Sequence, residues 1–136
     1  MEIRELVLHP AQLREVELVK VTCDKTEQYN AENAEINISV NVESEIGKSG
    51  EGKTKVEILI EGEGFNIQVA EIGIFTFEGI EDSEKIKLFL EVQGIRLMWS
   101  YIRETIYDFS GKLLRKPIML PTIDVLKTIE NTEERK

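Results

Sequence analysis

Residues 34–77 read AEINISVNVESEIGKSGEGKTKVEILIEGEGFNIQVAEIGIFTF, and this stretch decides the fold. Apolar and polar side chains alternate over residues 34–43 and 55–61, and the alternation resumes at Phe65 in a segment expected to run on to Phe77. A period of two with many β-branched residues predicts strands that bury one face and expose the other. The connections between them are short and rich in glycine, which favours antiparallel pairing.

A fourth strand is predicted upstream of this stretch. Within residues 10–23 the apolar phase changes between Leu18 and Val19, which indicates a helical turn or a bulge leading into a strand. A polar loop over residues 24–33 follows. Because successive strands usually pair with one another, we predict a four-stranded antiparallel meander.

After Gly79 the hydrophobic period lengthens to that of an α-helix. Asp82 or Ser83 can cap a first helix, which Gly94 is expected to interrupt and Gly111 to end. Its apolar stripe, at spacings of three and four residues, consists of Ile95, Met98, Trp99, Ile102, Ile106 and Phe109.

A proline-bounded apolar segment over residues 117–121 leads into a second amphipathic segment over 123–129. Strands followed by helices are typical of an α+β fold. We therefore predict a four-stranded antiparallel sheet with two C-terminal helices packed on one face, in a single domain over residues 1–136.

Composition excludes several classes of function. The 136 residues carry a net charge of −9, which argues against a nucleic-acid binder and against electrostatic attachment to an anionic membrane. One cysteine, Cys23, and one histidine, His9, can form neither an intrachain disulfide nor a four-ligand zinc site. The start MEIRELVLHP lacks the apolar core of a signal peptide, and no apolar run could span a bilayer, so we expect a cytoplasmic protein without membrane insertion.

Residues 47–54, GKSGEGKT, match the nucleotide-binding pattern G-x-x-x-x-G-K-[ST]. In that role Lys53 would contact terminal phosphates and Thr54 would hold magnesium, but the loop must be followed by a helix. Residues 55–61 instead alternate as a strand does, so we interpret the motif as a connection between strands. A nucleotide-binding enzyme that uses these residues is kept as the alternative from a different class.

No other catalytic centre is visible, and we predict a protein that is not an enzyme and needs no cofactor or metal. Glu104 and Asp108, four residues apart, are interpreted as a solvated helix face. Cys23 is interpreted as a small apolar residue rather than a nucleophile.

Large apolar side chains are abundant for one small sheet. Phe75 and Phe77 point to one face of their strand, whereas Ile74 points to the other. If helices cover one face, a second subunit can cover part of the other, so we predict an oligomer.

Three segments resemble the bacterial protein-export chaperone family SecB. They are GIFTFEGIE at 73–81, YIRETI at 101–106 and PIMLPTID at 117–124, and their order and spacing agree across residues 65–126. The continuation YIRETIYDFSGKL is similar to that of SecB-like chaperones encoded beside toxin–antitoxin pairs.

The resemblance implies a homotetramer, a dimer of dimers, that holds unfolded polypeptides or preproteins for export without ATP. A version dedicated to an antitoxin client is the alternative, and an oligomer of this fold without client binding is a third. The implied client-binding groove consists of Phe75, Phe77, Ile80, Leu113, Leu114, Ile118, Met119 and Leu120. The implied oligomer interface consists of Ile95, Met98, Trp99, Ile102 and Ile106.

The sequence departs from the family where the export motor SecA binds. The strand before Gly73 carries Asn66 and Gln68 at positions where the family has a leucine and a glutamate that help to bind SecA. Delivery to SecA is therefore in doubt, while the implied groove is unaffected.

Overall fold

The computed structural model describes residues 1–32, 35–48 and 50–134. Four strands precede two helices: β1 (Ala11–Lys25), β2 (Ile36–Ile46), β3 (Glu51–Gly62), β4 (Phe65–Phe77), α1 (Ser83–Leu114) and α2 (Val125–Glu134). The α+β class is confirmed. Ala34, where the second strand was expected to begin, and Ser49 of the 47–54 motif lie outside the described residues.

The strands form one antiparallel sheet in the order β1-β4-β3-β2. The predicted meander holds for β2, β3 and β4, but β1 lies beside β4 rather than beside β2. The reason is the loop after β1, which passes the β3–β4 turn: the backbone N–H of Thr26 donates to the Gly64 carbonyl at 2.8 Å, and Tyr29 packs edge-on against Phe65. The loop is long enough to cross two strands, at about 4.8 Å each.

The change in the alternation of apolar residues along the first strand arises from β-bulges. The register of β1 against β4 shifts between Leu13 and Glu15 and again between Leu18 and Lys20. The second shift lies where the sequence indicated a turn or bulge, so that prediction is confirmed.

Helix α1 is continuous through both glycines that were expected to break it. It begins after the Asp82 cap, whose carboxylate accepts from the backbone N–H of Glu84 at 3.0 Å, and ends before Arg115, which has a left-handed φ of 58°. Gly94 lies against β3, where a Cβ would stand 2.7 Å from Oγ1 of Thr54. This glycine therefore permits a close helix–sheet contact instead of ending the helix.

The buried face of α1 winds around the helix. Buried positions recur every four residues, namely Ile86, Leu90, Gly94, Met98, Ile102, Ile106, Ser110 and Leu114. Four residues turn an α-helix by 400°, so the buried stripe drifts by about 40° per repeat. The beginning and the end of α1 consequently present different sides to the rest of the chain.

Helix α1 crosses the sheet obliquely. Near its start Leu90 approaches Gly52 of β3, Met98 then approaches Gly73 of β4, and at its end the Leu113 carbonyl accepts from Nζ of Lys25 on β1 at 2.9 Å. This path leaves two corners of the same face uncovered by α1: the beginning of β2 and the first half of β1.

Helix α2 contacts α1 but no strand among the described residues. The prediction of two helices on the sheet is therefore right for α1 and wrong for α2. The segment between them lies against α1, because Nε1 of Trp99 donates to the Pro121 carbonyl at 2.9 Å and the backbone N–H of Ile118 donates to Oγ of Ser110 at 2.7 Å.

Candidate functional site

The corner at the beginning of β2 exposes apolar side chains. Ile38 and Val40 pair with Ile60 and Ile58 of β3, which are buried beneath α1, so all four point to the helix-covered face. Yet Ile38 and Val40 keep 38% and 45% of their surface exposed.

Ile36, on the same face, completes this row and lines a small pocket with Pro117 and Ile118 of the segment between the helices. Met119, next along that segment, is 67% exposed. We call these six residues the apolar corner: Ile36, Ile38, Val40, Pro117, Ile118 and Met119.

The implied groove residues fall into two groups. Four of them are buried in the core, namely Phe75, Phe77, Leu114 and Leu120. Phe75 and Phe77 both pack edge-on against Phe89, so they hold the start of α1 on the sheet. These four therefore form protein core rather than an open surface.

The remaining implied groove residues are Ile80, Leu113, Ile118 and Met119. The first three are partly buried against the core. Ile118 lines the small pocket beside Ile36 together with the buried Leu114, and the exposed Met119 follows Ile118 in the chain. The exposed row on β2 was not among the site residues predicted from the sequence. The alternation predicts the apolar face of each strand, but it does not reveal which strand lies at the edge of the sheet.

The implied interface residues lie mostly in the interior of the protomer. Met98, Trp99, Ile102 and Ile106 are between 0% and 7% exposed, and Ile95 is half-buried. The first four face the chain's own sheet and interhelical segment, so their apolar surface is already covered within one protomer. Their part in an oligomer interface stays a prediction.

The 47–54 motif does not form a nucleotide site. Lys53 and Thr54 are consecutive residues of β3, so they point to opposite faces of the sheet. Thr54 is fully buried, with Oγ1 donating to the Leu90 carbonyl at 3.1 Å. A strand rather than a helix follows the loop, which contradicts the nucleotide-binding hypothesis.

Cys23 is half-buried, and burial together with the nearby charge of Asp24 raises the pKa of its thiol. A raised pKa disfavours the nucleophilic thiolate. Within residues 1–32, 35–48 and 50–134, no group of three or more His, Cys, Asp or Glu side chains is placed to hold a metal ion. None of the helices in these ranges is both long and apolar enough to cross a bilayer.

The second uncovered corner is acidic. Between the first half of β1 and the middle of α1 lies a cleft of about 430 Å³, at which Oε1 of Glu71 accepts from Oγ1 of Thr105 at 2.6 Å. Burial raises the pKa of Glu71, the hydrogen bond from Thr105 partly opposes this, and the charge of Glu104 raises it further. We call this surface, lined by residues 13–16, Leu18, Glu71, Tyr101, Glu104, Thr105, Asp108 and Phe109, the acidic cleft.

Comparison with solved structures identifies the architecture. The SecB-like chaperone Rv1957 of Mycobacterium tuberculosis, in complex with a ChAD peptide from the Rv1956 HigA1 antitoxin, superposes with a TM-score of 0.74. The match covers 84% of this chain and 91% of that chain at 15% sequence identity. The fold is SecB-like.

A second match, weaker than the first, is a protein of unknown function from Streptococcus agalactiae. Its TM-score is 0.57 at 11% identity, and the match covers 82% of this chain and 97% of that one. No protein-family profile matches this sequence, and no curated protein does. The resemblance seen in the sequence is thus supported at the level of the fold.

Proposed function

We propose that this chain is a chaperone that holds an apolar polypeptide segment, and that its client is of the antitoxin type. The observation that carries the proposal is the β2 row of the apolar corner, where Ile36, Ile38 and Val40 are exposed on the helix-covered face of an edge strand. Further support comes from the solved neighbour, which shares this SecB-like fold and holds a peptide from an antitoxin.

The mechanism requires only surface chemistry. β2 is the last strand in the sheet order, so an extended client can pair with its outer edge through backbone hydrogen bonds. Every second side chain of such a client then points toward Ile36, Ile38 and Val40. Met119 is flexible and polarisable, so it adapts to different apolar side chains, which gives broad specificity without nucleotide.

A charge placed on either face of β2 tests this proposal. Ile38→Asp buries a carboxylate under a bound client, whereas Asn41→Asp adds the same charge to the same strand on its other face. We expect Ile38→Asp to weaken binding of a fluorescein-labelled apolar peptide at least tenfold, since a buried unpaired charge costs several kcal/mol. Asn41→Asp serves as the matched control. Equal affinities of the two variants would rule out the apolar corner as the client site.

A general holdase for exported preproteins is the wider form of the same proposal. Asn66 and Gln68 lie half-buried on the face of the sheet opposite α1 and offer no carboxylate there, so we do not extend the proposal to SecA. Aggregation assays separate the two forms. Protection confined to an antitoxin indicates a dedicated chaperone, and protection of unrelated unfolded proteins indicates a general one. Protection of neither kind of substrate would indicate a protein that keeps the fold but binds no client.

We further propose that the protein works in the cytoplasm and assembles as a homotetramer of about 62 kDa, four chains of 15.6 kDa each. The candidate interface is the face of the sheet opposite α1, where Leu59, Ile72 and Ile74 remain half-exposed. Light scattering on a sizing column measures the mass, and Ile74→Glu is expected to reduce it. A wild-type mass of 15.6 kDa would exclude assembly.

A further inference from the structure

The acidic cleft contains an unsatisfied carboxylate. Glu71 is 3% exposed and lies on β4 at the base of the cleft. Its Oε1 accepts the hydrogen bond from Thr105, but its Oε2 has no hydrogen-bond partner among the described residues. A buried polar atom without a hydrogen-bond partner lowers the stability of the fold by about 1–3 kcal/mol. A hydrogen-bond donor that reaches Oε2 would therefore bind there favourably.

The charges around Glu71 are mostly of one sign. Glu104 and Asp108 line the same cleft from α1, and Arg14 is the single basic residue in its lining. Glu15 also borders the cleft, but it pairs with Ile74, so its side chain points to the opposite face of the sheet. Nε of Arg14 is engaged with Oγ1 of Thr76 at 2.8 Å, and Asp108 is paired with Lys112 at 3.1 Å. Glu104 is exposed at the rim and Glu71 is buried beneath it, which places two carboxylates at different depths of one opening.

The rest of the lining is apolar. Leu13, Val16 and Phe109 are partly buried along the walls, and Leu18 is 46% exposed. An aliphatic stem fits such walls while a cationic head meets carboxylates, which is how long basic side chains distribute themselves at surfaces. A guanidinium also carries several donors in one plane and can serve two carboxylates at once. The cleft volume of about 430 Å³ is within the usual range for small-molecule binding sites, about 300–1,000 Å³.

We propose that the acidic cleft is a second client subsite, which takes an arginine or lysine side chain of the bound polypeptide between Glu71 and Glu104. This inference rests on the proposed function and adds a chemical requirement to it: a basic residue in addition to an apolar segment. The two open corners flank the same helix, so one extended client that crosses α1 can occupy both.

Paired peptides test the subsite. A short fluorescein-labelled peptide with alternating isoleucine and serine carries one central arginine, and its twin carries citrulline, which has nearly the same shape without the charge. Wild-type protein is expected to bind the arginine peptide about tenfold more tightly, as is typical of a charged hydrogen bond. Glu71→Gln and Glu104→Gln should each bring the ratio of the affinities for the arginine and citrulline peptides toward one. Glu91→Gln, an exposed carboxylate on α1 outside the cleft, should preserve it.

Two outcomes overturn the subsite. If Glu71→Gln and Glu104→Gln leave the ratio of the two peptide affinities unchanged, the preference for arginine comes from the overall charge of −9 and not from the cleft. A change in molar mass in these variants without a change in the ratio would assign the cleft to contact between copies of the chain.

A separate readout does not depend on client binding at the apolar corner. N-acetyl-arginine amide is titrated into ¹⁵N-labelled protein, with N-acetyl-citrulline amide as the control. The amide signals of Glu71, Tyr101 and Thr105 should shift with the arginine compound only. Binding of the amide without binding of either peptide would refute the client proposal and keep the cationic site. No shift at these residues would refute the site itself.

Discussion

Replacing Gly94 by alanine tests the packing of α1 on the sheet. A Cβ at this position would stand 2.7 Å from Oγ1 of Thr54 and 3.4 Å from its Cβ and Cγ2. The Thr54 hydroxyl would have to move, and its hydrogen bond to the Leu90 carbonyl would be lost. Because Thr54 is fully buried within β3, it has little room to give way.

The expected magnitude follows from opposing terms. Glycine to alanine inside a helix gains about 1 kcal/mol of helix propensity. Overpacking a filled core costs about 1–3 kcal/mol, and losing the hydroxyl hydrogen bond costs about 1 kcal/mol more. We therefore expect Gly94→Ala to lower the free energy of unfolding by about 1–3 kcal/mol.

The assay is urea unfolding at fixed protein concentration, followed by the fluorescence of Trp99, the single tryptophan. Thr54→Ala removes Oγ1 and Cγ2, so the double variant should recover part of the loss, with a coupling energy of about 1 kcal/mol or more between the two sites. If Gly94→Ala is as stable as the wild type, or if the two changes are simply additive, the close contact does not explain this glycine.

Three further changes examine the core and its charges. Since the pKa of Glu71 is raised in the folded protein, the native state holds its proton more tightly than the unfolded state does, and stability should fall as pH rises above the ordinary value near 4.5. Glu71→Gln should remove this fall in denaturation curves recorded across pH, and an unchanged pH profile would disprove the assignment. Trp99→Phe should cost about 1 kcal/mol, measured by circular dichroism, because the Pro121 carbonyl loses its donor. Leu120→Ala should cost about 2–5 kcal/mol, whereas Met119→Ala, one residue away but exposed, should change stability by less than about 0.5 kcal/mol; equal losses would show that residue 120 is not core.

The strands were predictable because their evidence is local. Alternation alone places β2, β3 and β4, and the phase change at Leu18 indicates the bulge in β1. The position of β1 beside β4 was not predictable in this way, since it depends on where a long polar loop crosses the sheet. Gly94 was misread for a similar reason: its role depends on Thr54, forty residues earlier in the chain.

The candidate site was harder to predict than the fold. Phe75, Phe77 and Leu120 are large and apolar whether they line an open surface or fill a core, and only the path of α1 decides between the two. The row from Ile36 to Val40 was visible in the sequence as a strand, but its exposure follows from its place at the sheet edge. The alternation places Glu71 in phase with Val69 and Gly73 on the buried face of β4, but its partner Thr105 lies 34 residues later, so the cleft around it was not predictable.

The oblique path of α1 fixes the separation between the two open surfaces. Its 32 residues span about 48 Å, and the helix is held on the sheet near its start at Leu90, near its middle at Met98 and at its end at Leu113. A rod anchored at three points keeps the apolar corner and the acidic cleft at one distance. A polypeptide long enough to bridge that distance can engage both surfaces at once, and the second contact is then favoured by its high effective concentration.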